Sequence, residues 1–233
     1  MMSKTGIASC ALVLCLMALV FNNSSCLAQT HYTGQISVGA KAGCDLSRMF
    51  FNPSVKQNLK PGFECGVMFR YVEERHFGLL AELNFIQRGW EENFEGAPFK
   101  YSRTIDYLQI PVLAHIYFGR RGKCFVNIGP QIGVRLDNVV KANFDVKQAS
   151  KLPDFPKYHR TMQYDEPIKQ RVDYGICAGL GGEFGINPRN SIILETRFYY
   201  GLCNLFASGR GNNFSGSNSM ALEFTIGYWF RVK

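Results

Sequence analysis

The segment at residues 63–71, FECGVMFRY, alternates between apolar and polar positions. Because successive side chains of a β-strand point to opposite faces, Phe63 and Val67 would share one face, whereas Glu64 and Arg70 would share the other. A strand with one charged face fits a water-soluble sandwich, in which that face meets solvent. It also fits a membrane barrel, in which the charged face lines the lumen and the apolar face meets lipid.

Seven further segments repeat this alternation. The predicted strands cover residues 35–46, 62–72, 76–88, 104–118, 123–137, 171–186, 190–202 and 219–231. Helical periodicity is not sustained anywhere after the first 28 residues. The chain is therefore predicted to be all-β, with eight strands.

The connections between these strands alternate in length. Short turns follow the second, fourth and sixth strands, whereas long connections cover residues 47–61, 89–103, 138–170 and 203–218. Outer-membrane barrels place short turns on the periplasmic side and long loops outside, and a soluble sandwich has no reason to sort its loops in this way. We therefore predict an eight-stranded antiparallel transmembrane β-barrel with both chain ends on the periplasmic side.

The lumen of such a barrel would be strongly polar. Parity along the strands places on its inner face Lys41, Asp45, Glu64, Arg70, Glu82, Arg88, His115, Arg135, Glu183, Glu195, Arg197, Glu223 and Arg231. Charges cannot be buried in a dry cavity unless they are paired, and a lumen of eight strands is only wide enough for side chains to fill. We therefore expect a salt-bridged plug rather than an open pore. A soluble lipocalin-like barrel would have an apolar interior.

The first 28 residues have the features of a cleaved signal peptide. Lys4 gives a positive start, and the apolar run at residues 7–21 is too short for a spanning helix. Cleavage after Ala28 would leave residues 29–233 as the barrel domain. Lipidation of Cys26 is an alternative interpretation.

Removal of this segment leaves 25 basic and 18 acidic residues. These charges are spread over strands, turns and loops without forming a basic patch, so we expect no nucleic-acid partner. No later segment is apolar for the roughly 18 residues that a membrane-spanning helix requires.

Five cysteines remain in the predicted mature chain, at Cys44, Cys65, Cys124, Cys177 and Cys203. Five thiols cannot all pair within one chain, and none has the spacing of a metal site. Most stand where a small apolar residue would serve. A Cys44–Cys65 bridge between neighbouring strands is the alternative, which an oxidising compartment would permit.

Four segments of the chain carry motifs that resemble those of a known protein family. They are GAKAGCDLSRM (residues 39–49), LLAELNFIQRG (79–89), YLQIPVLAHIYF (107–118) and FVNIGPQIGV (125–134). Together they resemble the outer-membrane β-barrel domain family that is common in Bacteroidota and includes the PorT-like proteins. The chain departs from that family at Asp45, Gln109 and His115, where Asn, Glu and Lys are usual. The resemblance implies a small outer-membrane barrel, and its PorT-like branch implies a part in protein secretion.

No catalytic or metal-binding constellation is evident in the sequence. The histidines fall at a terminus, a turn, a strand and a loop, and no G-x-S-x-G motif is present. His115 could act as a proton-linked gate, although a hydrogen-bonded lumen position is the ordinary interpretation. The glycines at 179–182 lie within a strand and are expected to make room for arginine side chains. We predict no enzymatic activity, no cofactor and no metal.

The connection at residues 138–170 is the strongest candidate for binding a ligand. It contains the basic residues Lys141, Lys147, Lys151, Lys157, Arg160 and Lys169, and the aromatic residues Phe144, Phe155, Tyr158 and Tyr164. Such a loop could bind surface glycan, lipopolysaccharide or a partner protein, and a mobile solvated loop is the alternative. The paired carboxylates Glu91 and Glu92 are predicted to be solvated in another outer loop.

The predicted function follows from this architecture. A monomeric barrel embedded in outer-membrane lipid would anchor four outer loops for a structural or interaction role. The alternative is a narrow channel, or an accessory component of transport or secretion.

Overall fold

The computed structural model describes residues 34–119, 122–152, 155–156, 161–168, 170–208 and 213–233. The predicted signal peptide lies outside these residues, and its cleavage stays a prediction. In the described part of the chain, no helix is both long and apolar enough to cross a membrane.

Strands make up most of the described chain. They are β1 (Gln35–Asn52), β2 (Gln57–Asn58), β3 (Lys60–Val72), β4 (Phe77–Glu92), β5 (Tyr101–Gly119), β6 (Gly122–Ala142), β7 (Val172–Gly185), β8 (Asn190–Gly201) and β9 (Gly216–Arg231). The connection between β6 and β7 contains a 3-10 helix, Val146–Lys151, and a short α-helix, Met162–Asp165. Because β2 has only two residues and pairs with the end of β4, eight long strands remain.

The eight long strands close into a ring. Each pairs antiparallel with its neighbours in the order β1–β3–β4–β5–β6–β7–β8–β9, and β9 pairs back onto β1. Closure satisfies the backbone hydrogen bonds of every long strand on both sides, which a sheet in lipid requires because lipid offers no hydrogen-bonding partner. The predicted eight-stranded antiparallel barrel is confirmed.

The two ends of the barrel differ as predicted. The turns β3–β4, β5–β6 and β7–β8 lie at one end with both ends of the described barrel, and we call it the short-turn end. The other end, the long-loop end, carries the longer connections. The strands reach further toward it than predicted, since β1 continues to Asn52, β4 to Glu92 and β6 to Ala142. The inward-facing side chains of these extensions pack together, so strand pairing continues beyond the segments whose inner face is charged.

Residues 63–71 show how the sequence pattern becomes a barrel wall. Phe63 and Val67 are 48% and 58% exposed on the outer face, whereas Glu64 and Arg70 are 1% and 5% exposed inside. The same alternation recurs around the ring and produces a broad apolar outer surface. An apolar surface of this extent belongs in lipid, because soluble monomers rarely expose one.

The interior is not uniformly polar, which corrects the prediction. An apolar cluster lies mainly toward the short-turn end, and another closes the long-loop end. The first cluster consists of Met68, Val72, Leu80, Leu113, Tyr117, Phe125, Cys177, Ile193, Tyr199, Ala221 and Trp229. Rings and aliphatic chains therefore fill the space around the charged groups and keep water away from them.

The five described cysteines are all free. Cys44 pairs across β1 and β3 with Phe63, and Cys65 pairs with Ala42. Because this register does not set the two thiols opposite each other, the alternative Cys44–Cys65 bridge is not formed.

Replacement of Leu180 by arginine should reveal the lipid-facing band. Leu180 of β7 is 68% exposed and lies between Tyr174 and Phe184 on the outer face. We expect Leu180→Arg to lower the free energy of unfolding by about 2–4 kcal/mol in lipid vesicles, because its charge would lie near the bilayer midplane. Val140→Arg, in the outer extension of β6, should change it by less than about 1 kcal/mol. Denaturant titration measures both, and equal effects would contradict this placement.

Candidate functional site

The barrel lumen gathers most of the predicted site residues. Those buried inside it are Lys41, Asp45, Glu64, Arg70, Glu82, Arg88, His115, Glu183, Glu195, Arg197 and Glu223. Arg135 is the exception and corrects the prediction. It is half-buried next to a register shift between β5 and β6, and its Nη1 donates to the Ile168 carbonyl at 3.0 Å. It therefore contacts loop backbone rather than a lumen carboxylate. Arg231 is also only half-buried, at the short-turn end.

Lys41, Glu82 and Arg197 form the centre of the lumen network. Lys41 Nζ lies 2.6 Å from Glu64 Oε1 and 2.9 Å from Glu82 Oε2. Arg197 donates to both oxygens of Glu82 at 2.8 Å and to Glu195 Oε2 at 2.9 Å. Bidentate, charge-assisted contacts of this kind are the strongest hydrogen bonds that side chains make. They connect β1, β3, β4 and β8 across the barrel.

Arg88 organises a second group of contacts nearer the long-loop end. It pairs with Glu223 and donates to Gln109 Oε1 at 3.3 Å. Its guanidinium lies 3.9 Å from the centre of the Tyr199 ring, a cation–π contact. The Tyr199 hydroxyl in turn donates to Asp173 Oδ2 at 2.8 Å. Tyr199 therefore contacts both charged groups, and Arg88 Nη1 itself lies 3.9 Å from Asp173 Oδ2.

Arg70 and Glu183 form a third group at the short-turn end. Nη1 and Nη2 of Arg70 both donate to the Glu183 carboxylate, which also accepts from Ser191 Oγ at 2.8 Å. The guanidinium carbon lies 4.6 Å from the centre of the Trp229 ring. Arg70 is therefore held by a carboxylate and by an aromatic face.

His115 is connected to the central network through an amide. Its Nδ1 lies 2.7 Å from Asn127 Oδ1, and Asn127 Nδ2 donates to Glu195 Oε1 at 2.9 Å. Its ring packs against Tyr117 and Phe125. His115 therefore has a polar partner at Nδ1 and aromatic neighbours at its ring, whereas its buried Nε2 has no hydrogen-bond partner among the described residues.

Glycines leave space for this network. A Cβ at Gly66 would collide with Asn84 Oδ1, and a Cβ at Gly179 would collide with Glu195 Oε1. The sequence suggested that such glycines make room for arginine. At Gly179 the nearer group is the carboxylate, with Arg197 Cβ 3.3 Å away.

Carboxylates outnumber cations among the described side chains that are buried in the lumen. The carboxylates are Asp45, Glu64, Glu82, Asp173, Glu183, Glu195 and Glu223, and the cations are Lys41, Arg70, Arg88 and Arg197. The lumen therefore carries a negative formal charge, although the whole chain is basic.

An aromatic cluster closes the long-loop end, and we call it the outer cap. It consists of Met49, Phe51, Val55, Ile86, Trp90, Phe94, Tyr101, Ile105, Tyr107, Ile168, Leu205, Phe206 and Phe214. The Phe51 ring centre lies 5.2 Å from that of Trp90 and 5.8 Å from that of Phe206. Sequence reasoning missed this cluster, although the inner-face parity of β1 and β4, continued past their predicted ends, reaches Phe51 and Trp90.

The connection between β6 and β7 covers the outer cap. Phe144, Phe155 and Tyr164 pack against it, and the Tyr164 ring centre lies 4.6 Å from that of Tyr101. These aromatic residues are therefore packing groups rather than a displayed binding surface. The described lysines Lys141, Lys147 and Lys151 are exposed, whereas Lys157, Tyr158, Arg160 and Lys169 lie outside the described residues.

Glu92 is buried rather than solvated, which corrects the prediction for the Glu91–Glu92 pair. Its carboxylate accepts from Gln163 Nε2 at 2.9 Å and from the Tyr164 hydroxyl at 2.6 Å. It lies at the outer end of β4, seven residues past Phe85 and beyond the lipid-facing band. Burial raises the pKa of the Glu92 carboxyl to about 7. Glu92 thus fastens the β6–β7 connection to the barrel wall, whereas Glu91 is exposed.

The family of the chain follows from comparison with known proteins. The model of the outer membrane protein beta-barrel domain family matches residues 27–207. This chain belongs to that family. A search of curated protein sequences finds no significant match.

Solved barrels share the fold at low sequence identity. The outer membrane protein OprG from Pseudomonas aeruginosa is 12% identical, with a TM-score of 0.53, over 86% of this chain and 97% of its own. Ail of Yersinia pestis, solved with the heparin analogue sucrose octasulfate, is 13% identical over 84% of this chain and 99% of its own, with a TM-score of 0.42. Neisserial surface protein A is 12% identical over 84% and 97%, also with a TM-score of 0.42. The likeness to OprG supports the barrel fold.

Removal of Lys41 should destabilise the barrel strongly. Lys41→Met leaves Glu64 and Glu82 without a shared cation, so we expect the free energy of unfolding to fall by about 3–5 kcal/mol. Lys56→Met is the matched control, because Lys56 and Glu95 form an ion pair whose side chains are 55% and 48% exposed. Its effect should stay below about 1 kcal/mol. Denaturant titration compares them, and a small loss for Lys41→Met would show that the network contributes little.

Docking of the β6–β7 connection should weaken as the pH rises. Because the pKa of Glu92 is raised above its ordinary 4.5 to about 7, its contribution to docking is complete below pH 4.5 and is lost as the pH rises through about 7. Trypsin cleavage at Lys147 and Lys151 should accelerate between about pH 5.5 and pH 8, beyond the change in the activity of trypsin itself. Glu92→Gln, which cannot ionise, should lack this extra acceleration. An equal acceleration in both proteins would assign the effect to another group.

Proposed function

We propose that the protein is a closed, monomeric, non-enzymatic barrel of the outer membrane that presents its long-loop end for a structural or interaction role. The filled lumen carries this proposal. Lys41, Glu82 and Arg197 cross-link the middle of the barrel, and the outer cap covers the end above them. Since these groups contact one another instead of lining a cleft, the lumen suits an anchor better than a catalyst.

The family and the arrangement of loops support an orientation. Barrels of the outer membrane have short periplasmic turns and longer outer loops. The short-turn end would therefore face the periplasm, and the outer cap with its loops would face the cell exterior. A closed ring needs no second copy to satisfy its strand edges, which supports a monomer.

A groove beside the outer cap supports an interaction role. It has a volume of about 480 Å³ and lies between the β4–β5 loop and the end of β6. Its lining includes Asn58, Glu91, Glu95, Lys100, Lys141 and Asn143. Groups that donate and accept hydrogen bonds, with charges of both signs, suit a polar surface glycan better than a purely anionic lipopolysaccharide phosphate. The same groove could instead bind a partner protein through these polar and charged groups.

A narrow channel is the second candidate function, together with an accessory role in transport or PorT-like secretion. The surplus of buried carboxylates in the lumen favours it, because a negative path would admit cations. The outer cap opposes it, because cap residues would have to move before ions could pass.

Electrical recording separates the two candidates. The wild-type barrel in a planar lipid bilayer should show no stepwise conductance, because its lumen is packed. A control variant that combines Glu82→Ala and Arg197→Ala in the centre with Phe51→Ala and Trp90→Ala in the outer cap opens both barriers and should produce measurable steps, which shows that the assay can detect an open lumen. Stepwise, cation-selective conductance from the wild-type protein would overturn the closed anchor and favour the channel.

A further inference from the structure

The short-turn end contains a basic cavity within the barrel mouth. Its volume is about 560 Å³, and its lining includes Arg70, Lys123, Arg189, Arg231, Glu183 and Trp229. Glu183 is the one carboxylate among these described lining residues. The mouth thus has a charge opposite to that of the lumen above it.

Strand register explains how the arginines meet. The backbone N–H of Arg231 donates to the Arg189 carbonyl at 2.7 Å, so the two residues lie side by side where β8 begins and β9 ends. Arg231 pairs with Ser37 of β1, and Ser37 pairs with Arg70 of β3. Three arginines therefore lie in one row that runs from the β7–β8 turn across β9 and β1 to β3. Like charges side by side across a ladder are destabilising unless a counter-charge is supplied.

The protein supplies only part of that counter-charge. Glu183 accepts both hydrogen bonds from Arg70, and its Oε1 lies 3.9 Å from Lys123 Nζ. In the part of the chain that the structure describes, no carboxylate oxygen lies within 4.0 Å of the Arg189 or Arg231 guanidinium. Arg189, which is exposed, and Arg231, which is half-buried, therefore line the cavity without a carboxylate partner among the described residues.

We propose that this cavity binds a soluble oxyanion of the phosphate type, with diphosphate as a representative. Arg189 and Arg231 present planar guanidinium groups that match phosphate oxygens in pairs. Arg70, held by Glu183 and stacked on Trp229 at 4.6 Å, forms a fixed wall behind them. Because Ser37, Arg70 and Trp229 are buried on the inner face, the cavity opens along the barrel axis and suits a soluble anion better than a lipid headgroup.

The compartment that supplies the anion depends on the proposed orientation, whereas binding itself does not. Binding measured in detergent therefore tests this site separately from conductance, which tests the closed lumen. The oxyanion site could be disproved while the closed lumen stands, and the closed lumen could be disproved while the site stands.

Calorimetric titration of the full barrel with pyrophosphate tests the site. Wild-type protein in neutral detergent should bind it saturably, and the affinity should fall as salt is added. Arg189→Ala combined with Arg231→Ala should weaken binding at least about tenfold, because two charge-assisted contacts are lost. Lys147→Ala combined with Lys151→Ala removes the same charge from the exposed β6–β7 connection and should bind like the wild type. Absence of saturable binding, or equal weakening in both variants, would overturn the site.

Tryptophan fluorescence and lipid competition locate the bound anion. Trp90→Phe leaves Trp229 as the sole tryptophan and keeps all the arginines of the cavity. Pyrophosphate should change the fluorescence of Trp229 in this variant. An unchanged signal would count against binding in the cavity. In nanodiscs of neutral phosphatidylcholine, pyrophosphate should still bind, and added phosphatidylglycerol should not displace it. Complete displacement by the anionic lipid would assign the cavity to a headgroup and overturn the soluble anion.

Discussion

The need to pair the charges that are enclosed within a ring of eight strands governs this structure, although Asp45 is buried with no cation within 4.0 Å among the described residues. A carboxylate or guanidinium inside so narrow a barrel cannot keep its hydration shell, and an unpaired buried charge is strongly destabilising. Lys41, Glu82 and Arg197 satisfy this constraint across the centre, where each group contacts at least one opposite charge. Other features of the lumen serve the same end: glycines give the side chains space, and aromatic rings exclude water and stack on guanidinium groups.

Alternation along the sequence predicted the strands, their closure into a barrel and the inward placement of most charged residues. It could do so because a period of two depends only on local chain geometry and on the contrast between lipid and lumen. The ends of the strands were harder to predict. Trp90 and Phe51 share the inner face with charged residues, but their inward packing depends on loops that are distant in sequence. The prediction for Glu92 was wrong for the same reason, because its partners Gln163 and Tyr164 are supplied by the β6–β7 connection. Alternation assigns a face to a side chain but does not identify its partner.

Charge is distributed unevenly along the barrel axis. Arginines surround the short-turn mouth, carboxylates prevail in the middle, and a ring of aromatic side chains closes the far end. Net charge, which is positive for the whole chain, conceals this arrangement. The proposed oxyanion site and the proposed closed lumen are thus consequences of one distribution. An anion drawn into the mouth would meet increasing repulsion if it moved toward the centre.

The ion pairs also join strands that are made at very different times. Arg88 of β4 pairs with Glu223 of β9, which lies 135 residues later in the sequence. Arg70 of β3 pairs with Glu183 of β7, which lies 113 residues later. Lys41, Glu64 and Glu82 need only β1, β3 and β4 to pair, whereas Arg70 and Arg88 meet their carboxylates only when β7 and β9 are in place. A barrel that lacked the late strands would enclose these arginines without their partners, and an unpaired buried charge is strongly destabilising. The stability of the early strands therefore depends on residues late in the sequence.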